Sequence, residues 1–251
     1  MVAYDVGMAI ITDCAVVLRR VDYSETSQVI LFFTREHGKV SAIWKGARRG
    51  TKTRFAIGID LLDEGHLTIR HRPEGGTGLA TVTEWKPART LYGLREELFR
   101  LHGAQYVCEI TIGLTADWDP NVGLFDALST TLAELSQSDD PLAEVLAYQM
   151  SLLRAAGSVP RFDVCVSCAR QNELSYFSSF EGGMICRNCE AVRVEKREVS
   201  PGTLGVLRGV GGDSSLVGAF GLLNYHIAHL MGREPLLAGK LVPAARRRLV
   251  E

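Results

Sequence analysis

The sequence predicts an α+β protein made of three parts: an N-terminal β-barrel, a helical domain and a small module that holds four cysteines. Three observations predict it. Short β-branched apolar runs fill the first 85 residues, the hydrophobic period then changes to three and four residues, and two Cys-x-x-Cys pairs follow. We place the barrel at 1–85, the helical domain at 86–160 plus 199–242, and the cysteine module at 161–198.

The barrel prediction depends on five or six short runs with the composition of β-strands. These runs are 9–12, 14–18, 28–34, 40–44, 60–70 and 79–85. Turn signals separate them, such as Glu36-His37-Gly38-Lys39 and the glycine-rich stretch 73–78. So many short strands in so few residues favour a small closed barrel of the oligonucleotide-binding kind, an OB-fold.

The middle of the chain has the periodicity of amphipathic helices. Apolar residues recur at three- and four-residue spacing over 94–108, 124–135, 142–153 and 216–230. Asp119-Pro120 and Asp140-Pro141 place acids and prolines where helices begin, and Ser200-Pro201 predicts one more helix start. We therefore expect three helices before the cysteine module and two after it.

Four of the six cysteines form two Cys-x-x-Cys pairs with seventeen residues between them: Cys165, Cys168, Cys186 and Cys189. Each pair presents two thiolates from one tight turn, and two pairs supply the four ligands of a tetrahedral structural Zn²⁺ site. Tyr176, Phe177 and Phe180 suggest the strands of a hairpin between the pairs, with a turn at Gly182-Gly183.

The alternative for the quartet is a catalytic zinc with an open position. A nucleotide deaminase would add a His-x-Glu motif, and none of the six histidines is followed two residues later by Glu. The sequence also lacks a G-x-x-x-x-G-K-[ST] phosphate loop and a G-x-S-x-G nucleophile elbow. We therefore expect no enzymatic activity, and we interpret His226 and His229 as surface or satisfied core histidines.

Basic residues are concentrated in one segment. Residues 35–54 hold seven Lys/Arg against one acid, whereas residues 84–151 hold four against eleven. A cation-dense, glycine-interrupted loop that leaves a barrel strand can follow a phosphate backbone, and Trp44 beside it is either a stacking face or part of the core. The candidate DNA-binding residues are Lys39, Lys45, Arg48, Arg49, Lys52 and Arg54. The alternative is a solvated charged loop.

The sequence also bears on the compartment. No stretch approaches the roughly 18 apolar residues of a membrane span, and the first residues lack the basic start of a signal peptide. The cysteine pattern is not that of a secreted disulfide scaffold. We expect a cytoplasmic, nucleoid-associated protein without a membrane partner.

Particular motifs in the N-terminal part resemble the bacterial RecO family of recombination and repair proteins. The likeness covers residues 15–27 with the turn Tyr23-Ser24-Glu25, then 33–39 with Thr34 and Gly38, and then the loop Lys45-Gly46-Ala47-Arg48. The two Cys-x-x-Cys pairs match the zinc-bearing members of that family, while the helices match only as a pattern.

The resemblance implies a function beyond what the residues alone indicate. Members of the family bind single- and double-stranded DNA through the barrel and anneal complementary strands. They help load RecA in gap and break repair, with RecR and the C-terminal tail of single-strand binding protein as partners. Two other classes stay open from the residues alone: a zinc enzyme, and a zinc-containing protein-interaction adaptor without a direct DNA role.

Overall fold

The structure is a computed structural model that describes residues 8–45, 59–71, 79–210, 212 and 215–242. Contacts divide the chain into two compact units. The first comprises Met1–Gly93 and Thr115–Ser136, and the second comprises Leu94–Leu114 and Gln137–Glu251. Residues Thr115–Ser136, which the sequence analysis grouped with the helical domain, thus pack with the barrel.

The first unit contains a five-stranded barrel in which most neighbouring strands are antiparallel. Its strands are β1 (Ala9–Asp22), β2 (Ser27–Thr34), β3 (Gly38–Lys45), β4 (Glu64–His71) and β5 (Ala80–Arg89). Among the described residues these strands close in the order β1-β2-β3-β5-β4, and only the β3–β5 pairing is parallel. This arrangement confirms the predicted OB-like barrel.

The barrel core is built from residues that alternate along each strand. Ala15 and Val17 of β1 and Ile30 and Phe32 of the neighbouring β2 belong to this core, and all four are fully buried. Trp44 is partly buried and packs against the same core, which favours the core interpretation of this side chain over a free stacking platform.

One prediction about the strands was wrong. The runs 9–12 and 14–18 are a single strand, because the polar residue between them is accommodated inside the fold. The buried Asp13 carboxylate accepts hydrogen bonds from the Glu36 backbone N–H (2.9 Å) and from His37 Nδ1 (2.8 Å). Asp13 therefore ties β1 to the β2–β3 turn rather than ending a strand.

A β-bulge changes the register of β1. Val17 pairs with Phe32 and Arg19 pairs with Leu31, so Leu18 is the extra residue on β1. Beyond the bulge Arg20 lies opposite Ile30 of the interior, while Arg19 and Val21 lie on the outer face with Leu31 and Val29. Arg20 donates to the Ile59 carbonyl (2.8 Å) at the end of the barrel.

A helix covers part of the outer face of the barrel. Helix α3 (Val122–Leu135) places Phe125 against Phe33 of β2, with ring centroids 6.3 Å apart. Arg35 forms a two-point ion pair with Asp126 at 3.1 Å. The α3 N-cap is Asn121, whose Oδ1 accepts from Leu124 N, rather than the predicted Asp119-Pro120.

The second unit is largely helical. Its helices are α2 (Leu98–Leu114), α4 (Pro141–Ala155), α5 (Pro201–Leu207) and α6 (Leu216–Met231), and the single turn α1 (Gly93–Glu96) precedes α2. Asp140 and Ser200 cap α4 and α5 with a proline following each, as predicted. In the buried centre the Tyr106 hydroxyl donates to Asn224 Oδ1 (3.0 Å) and accepts from Gln149 Nε2 (2.7 Å).

A small sheet completes the second unit. It consists of β6 (Leu174–Ser178), β7 (Gly183–Cys186) and β8 (Arg197–Glu198), in the order β7-β6-β8. The α+β class, the helical part and the cysteine-bearing module are thus confirmed. In the part of the chain that the structure describes, no helix is long and apolar enough to cross a membrane.

Candidate metal centre and nucleic-acid interface

A β-hairpin brings the two cysteine pairs together. Strands β6 and β7 are antiparallel, and Leu174 at the start of β6 lies opposite Cys186 at the end of β7. The predicted hairpin is therefore confirmed, with Gly182 at a φ of +72° in its turn. Phe180 is not in a strand; it lies in the turn and is exposed.

The first cysteine pair is held against the hairpin by backbone hydrogen bonds. Cys165 N donates to the Arg170 carbonyl (2.7 Å), and Ala169 N donates to the Cys165 carbonyl (2.8 Å). Val166 N donates to the Met184 carbonyl of β7 at 2.9 Å. Cys165 therefore turns toward β7, where Cys186 is located.

The four sulfur atoms form one cluster. The Sγ atoms of Cys165, Cys168, Cys186 and Cys189 all lie within 4.8 Å of one another, and Cys168 Sγ is 3.7 Å from Cys186 Sγ. Thiolates in a tetrahedron around Zn²⁺ at about 2.3 Å would be about 3.8 Å apart. The spacing thus suits a four-coordinate metal ion, and four protein ligands leave no position for a reactive water.

Hydrogen bonding and burial shift the pKa in opposite directions at Cys165 and in the same direction at Cys189. Burial alone would raise the pKa of Cys165, but N–H groups directed at its sulfur, including Cys186 N at 3.4 Å, outweigh that effect and lower the pKa to about 6. Hydrogen bonding to Cys168 and Cys186 raises the pKa of Cys189 to about 12. A bound divalent cation would stabilise all four groups as thiolates.

The sequence analysis missed the carboxylate that supports the hairpin turn. Glu195 accepts hydrogen bonds from Ser178 Oγ (2.6 Å), Ser179 N (3.2 Å) and Phe180 N (3.1 Å), and from the Tyr225 hydroxyl of α6. Burial raises the pKa of Glu195, but these four donors together lower it below its ordinary value. No sequence motif marks Glu195, because two of its four donors are backbone groups and all four are at least 15 residues away in sequence.

Among the residues that the structure describes, the two histidines of α6 join no cluster of metal-ligating groups. His226 is buried, with Nδ1 2.7 Å from Ser179 Oγ and Nε2 3.0 Å from the Ser158 carbonyl. Burial lowers the pKa of His226, so the neutral ring is the form held in the core. His229 is exposed. One satisfied core histidine and one surface histidine agree with the prediction.

The structure describes two of the six candidate DNA-binding residues, and their surroundings differ. Lys39 Nζ donates to the Thr115 carbonyl (2.6 Å) and forms an ion pair with Asp117 (3.4 Å), and its side chain is only 12% exposed. Lys45 is exposed at the end of β3. Arg48, Arg49, Lys52 and Arg54 lie outside the described residues.

Comparisons with known proteins agree with this arrangement. A family model described as Recombination protein O N terminal matches residues 8–91, and one described as Recombination protein O C terminal matches residues 95–217. The chain is similar to DNA repair protein RecO from Bacillus cereus strain AH187 and from Bacillus anthracis. In both cases it is 35% identical over 171 residues, which cover 68% of this chain and 67% of the relative.

The chain has an OB-like barrel and a helical unit with a four-thiol cluster, and the two family models match residues 8–91 and 95–217 of it; together these findings define a protein of DNA repair and recombination. Within that class, the chain belongs to the RecO family. The resemblance noted in the N-terminal motifs is thereby confirmed.

Proposed function

We propose that this chain is a non-enzymatic recombination mediator that binds single- and double-stranded DNA through its barrel and anneals complementary strands. In this proposal it assists RecA loading in gap and break repair, together with RecR and the C-terminal tail of single-strand binding protein. Family membership supports the role in repair. A cytoplasmic, nucleoid-associated location follows from that role.

The observation that carries the proposal is the exposed Lys45 at the end of β3, immediately before the cation-dense segment of the sequence. Lys45 ends β3 exposed, and the sequence continues directly into Arg48, Arg49, Lys52 and Arg54. Arg19 on β1 is exposed as well. Annealing requires two polyanions to approach each other, and cations that neutralise phosphates lower the repulsion and release counterions. No nucleotide hydrolysis is needed for that step.

We further propose that the four cysteines hold a structural Zn²⁺. Four thiolates with no open position suit a closed structural site rather than a catalytic one. The ion would cross-link the hairpin to the segment before it, and the chain's own residues would do no chemistry there. Metal analysis of the purified protein should find one zinc per chain, and protein purified without metal would contradict this proposal.

The DNA proposal is tested with charge-matched variants. We expect Arg48→Ala/Arg49→Ala to weaken binding to a single-stranded oligonucleotide and to reduce the salt dependence of binding by about two phosphate contacts, because each Arg neutralises a phosphate. The control, Arg154→Ala/Arg187→Ala, removes two exposed arginines of the second unit. Equal salt slopes for the two double variants and the unchanged protein would contradict the proposal.

A second candidate is a zinc-containing protein-interaction adaptor without a direct DNA role. A specific observation favours it: the turn of the hairpin and the segment before β8 expose Phe180 and Val192, each 78% exposed, beside a cavity of about 300 Å³. The same titration separates the two candidates, because an adaptor of this kind would bind no oligonucleotide even at low salt.

A further inference from the structure

The outer face of the barrel between the ends of β1, β2 and β3 has a composition unlike that of an ordinary solvated sheet. Val21, Val29 and Ile43 form one row across the three strands, since Val21 pairs with Val29 and Val29 pairs with Ile43. Val21 is 51% exposed, and the other two are half-buried. Helix α3 covers this face at Phe33, further along β2, but the row itself lies beyond that contact.

An exposed aromatic residue lies beside this row, two residues after Val21 along the chain. Tyr23 follows β1, and its backbone N–H bonds the Ser27 carbonyl at the start of β2 (3.0 Å). Its side chain is 69% exposed. Arg19 to Tyr23 spans about 13 Å along an extended chain, and three strands span about 10 Å across. An area of this size accommodates a short stretch of extended single strand.

Two exposed cations border the apolar row. Arg19 lies two residues before Val21 on the same face, and Lys45 pairs with Ser27 two residues beyond Ile43. Arg20, in contrast, is turned to the barrel end by the bulge and pairs with Asp60 at 3.4 Å. The face thus combines an apolar floor, a stacking ring and positive charge at its border.

We infer that this outer face, Arg19, Val21, Tyr23, Val29, Ile43 and Lys45, binds the unstacked bases of single-stranded DNA. Resting on the proposed DNA-binding function, the inference adds that this face discriminates single strands from duplex. Aromatic and apolar side chains hold bases whose faces are free, whereas the bases of a duplex are already stacked on each other. The charged border positions the phosphates, and Tyr23 stacks a base.

The test compares Tyr23→Ala with the matched control Tyr92→Ala. Tyr92 is 72% exposed and lies after β5, outside this face. Fluorescence anisotropy of labelled oligothymidine and of a duplex of equal length gives the two affinities. Tyr23→Ala should weaken binding to oligothymidine about tenfold and change duplex binding by less than about twofold, since stacking acts only on free bases. Tyr23→Phe should keep the wild-type affinity for oligothymidine, because the ring remains.

Several outcomes would overturn the inference. An equal loss on single strand and duplex would mean that Tyr23 acts on the backbone or on the fold, and thermal unfolding of each variant identifies the latter. An unchanged affinity for oligothymidine in Tyr23→Ala would exclude stacking by Tyr23 while leaving the proposed DNA-binding function intact. Failure of the unchanged protein to bind either DNA would remove both the function and the inference.

Discussion

Lys39 and Lys45 lie on the same strand, but their ammonium groups have different partners. The Lys39 ammonium is occupied by Thr115 and Asp117 within the first unit, whereas Lys45 is exposed at the strand end. Buried, paired charges mainly affect stability, and exposed charges near phosphates mainly affect affinity. The two lysines therefore serve as controls for each other.

We expect Lys45→Ala to reduce the salt slope of single-strand binding by about one and to leave the unfolding temperature unchanged. We expect Lys39→Ala to lower the free energy of unfolding by about 1 kcal/mol or more, since it removes the charge-assisted hydrogen bond from Nζ to the Thr115 carbonyl and the ion pair with Asp117. Oligonucleotide titrations at several salt concentrations and thermal unfolding measure both effects. If Lys39→Ala instead reduces the salt slope and leaves the unfolding temperature unchanged, Lys39 contacts a phosphate and its assignment to stability is wrong.

Glu195 gives a pH-dependent prediction. Its pKa in the folded protein lies below the ordinary 4.5, because four donors stabilise the carboxylate. Its contribution to stability is therefore fully present above the unfolded-state pKa and is lost as the pH falls through the folded-state pKa. Glu195→Gln should lower the unfolding temperature by a few degrees at pH 7, and partial exposure keeps the effect modest.

Thermal unfolding of both proteins between pH 7 and pH 3 measures this effect. The difference between wild type and Glu195→Gln should shrink as the pH falls from the unfolded-state pKa through the lowered folded-state pKa of Glu195, because the wild-type carboxylate then becomes protonated. A difference that stays constant over this range would show that the Gln variant is destabilised by packing rather than by the lost charge.

At the scale of elements, the turn between β2 and β3 depends on glycine for two reasons. Gly38 has a φ of +69°, and a Cβ there would lie 2.2 Å from the Asp119 carbonyl oxygen, in the segment between α2 and α3. The backbone at Asp119 passes so close to Gly38 that a residue with a side chain would collide with it. The turn and the segment 115–121 are therefore a single packed element.

An alanine in the left-handed backbone conformation costs about 1–2 kcal/mol by itself. Gly38→Ala should lower the free energy of unfolding of the first unit by more than this, because the added Cβ would also meet the Asp119 carbonyl. Gly182→Ala is the matched control: it has a φ of +72° and no neighbouring atom within 4 Å of the added Cβ. Urea unfolding of both variants gives the two free energies. Equal losses would show that the contact with Asp119 relaxes without cost.

The sequence predicted these elements to different degrees, for physical reasons. Period-two runs and cap residues depend on neighbours in sequence, so β2, β3 and the starts of α4 and α5 were predicted well. Asp13 was misleading, since its hydrogen-bond partners come from the β2–β3 turn, more than twenty residues away in sequence. The packing of α3 on the barrel was not predictable, because a helix face does not specify the surface it will cover.

The candidate sites were likewise predictable only where they depend on residues that are close in sequence. The spacing of the four cysteines was sufficient to predict that their sulfurs meet, because both pairs lie close to one hairpin. The outer barrel face was missed, because its row joins residues from three strands through a register that includes a bulge. The charge of Lys39 suggested a DNA contact, and only the fold shows the carbonyl that it binds.

At the scale of the whole molecule, the cysteine cluster and the barrel belong to different packing units. Removing the proposed Zn²⁺ with a strong chelator should unfold or loosen the cysteine module, because structural zinc contributes on the order of 10 kcal/mol to such sites. Single-strand affinity should change by less than about twofold. Calorimetry and oligonucleotide titration of the treated protein measure both effects, and added Zn²⁺ should restore the original unfolding profile. A tenfold loss of DNA affinity on chelation would show that the module takes part in binding.

The extra residue in β1 decides which of its side chains reach the surface. If Leu18 paired with Leu31 in an unbroken ladder, Arg19 would lie opposite Ile30 and point into the barrel end, and Val21 would lie opposite Gln28 and leave the outer face. Deleting Leu18, in contrast, would remove the bulge and keep Arg19 opposite Leu31 and Val21 opposite Val29. A buried aliphatic residue thus sets the orientation of the face that we propose for single-stranded DNA, and a regular ladder can retain that face only with one residue fewer.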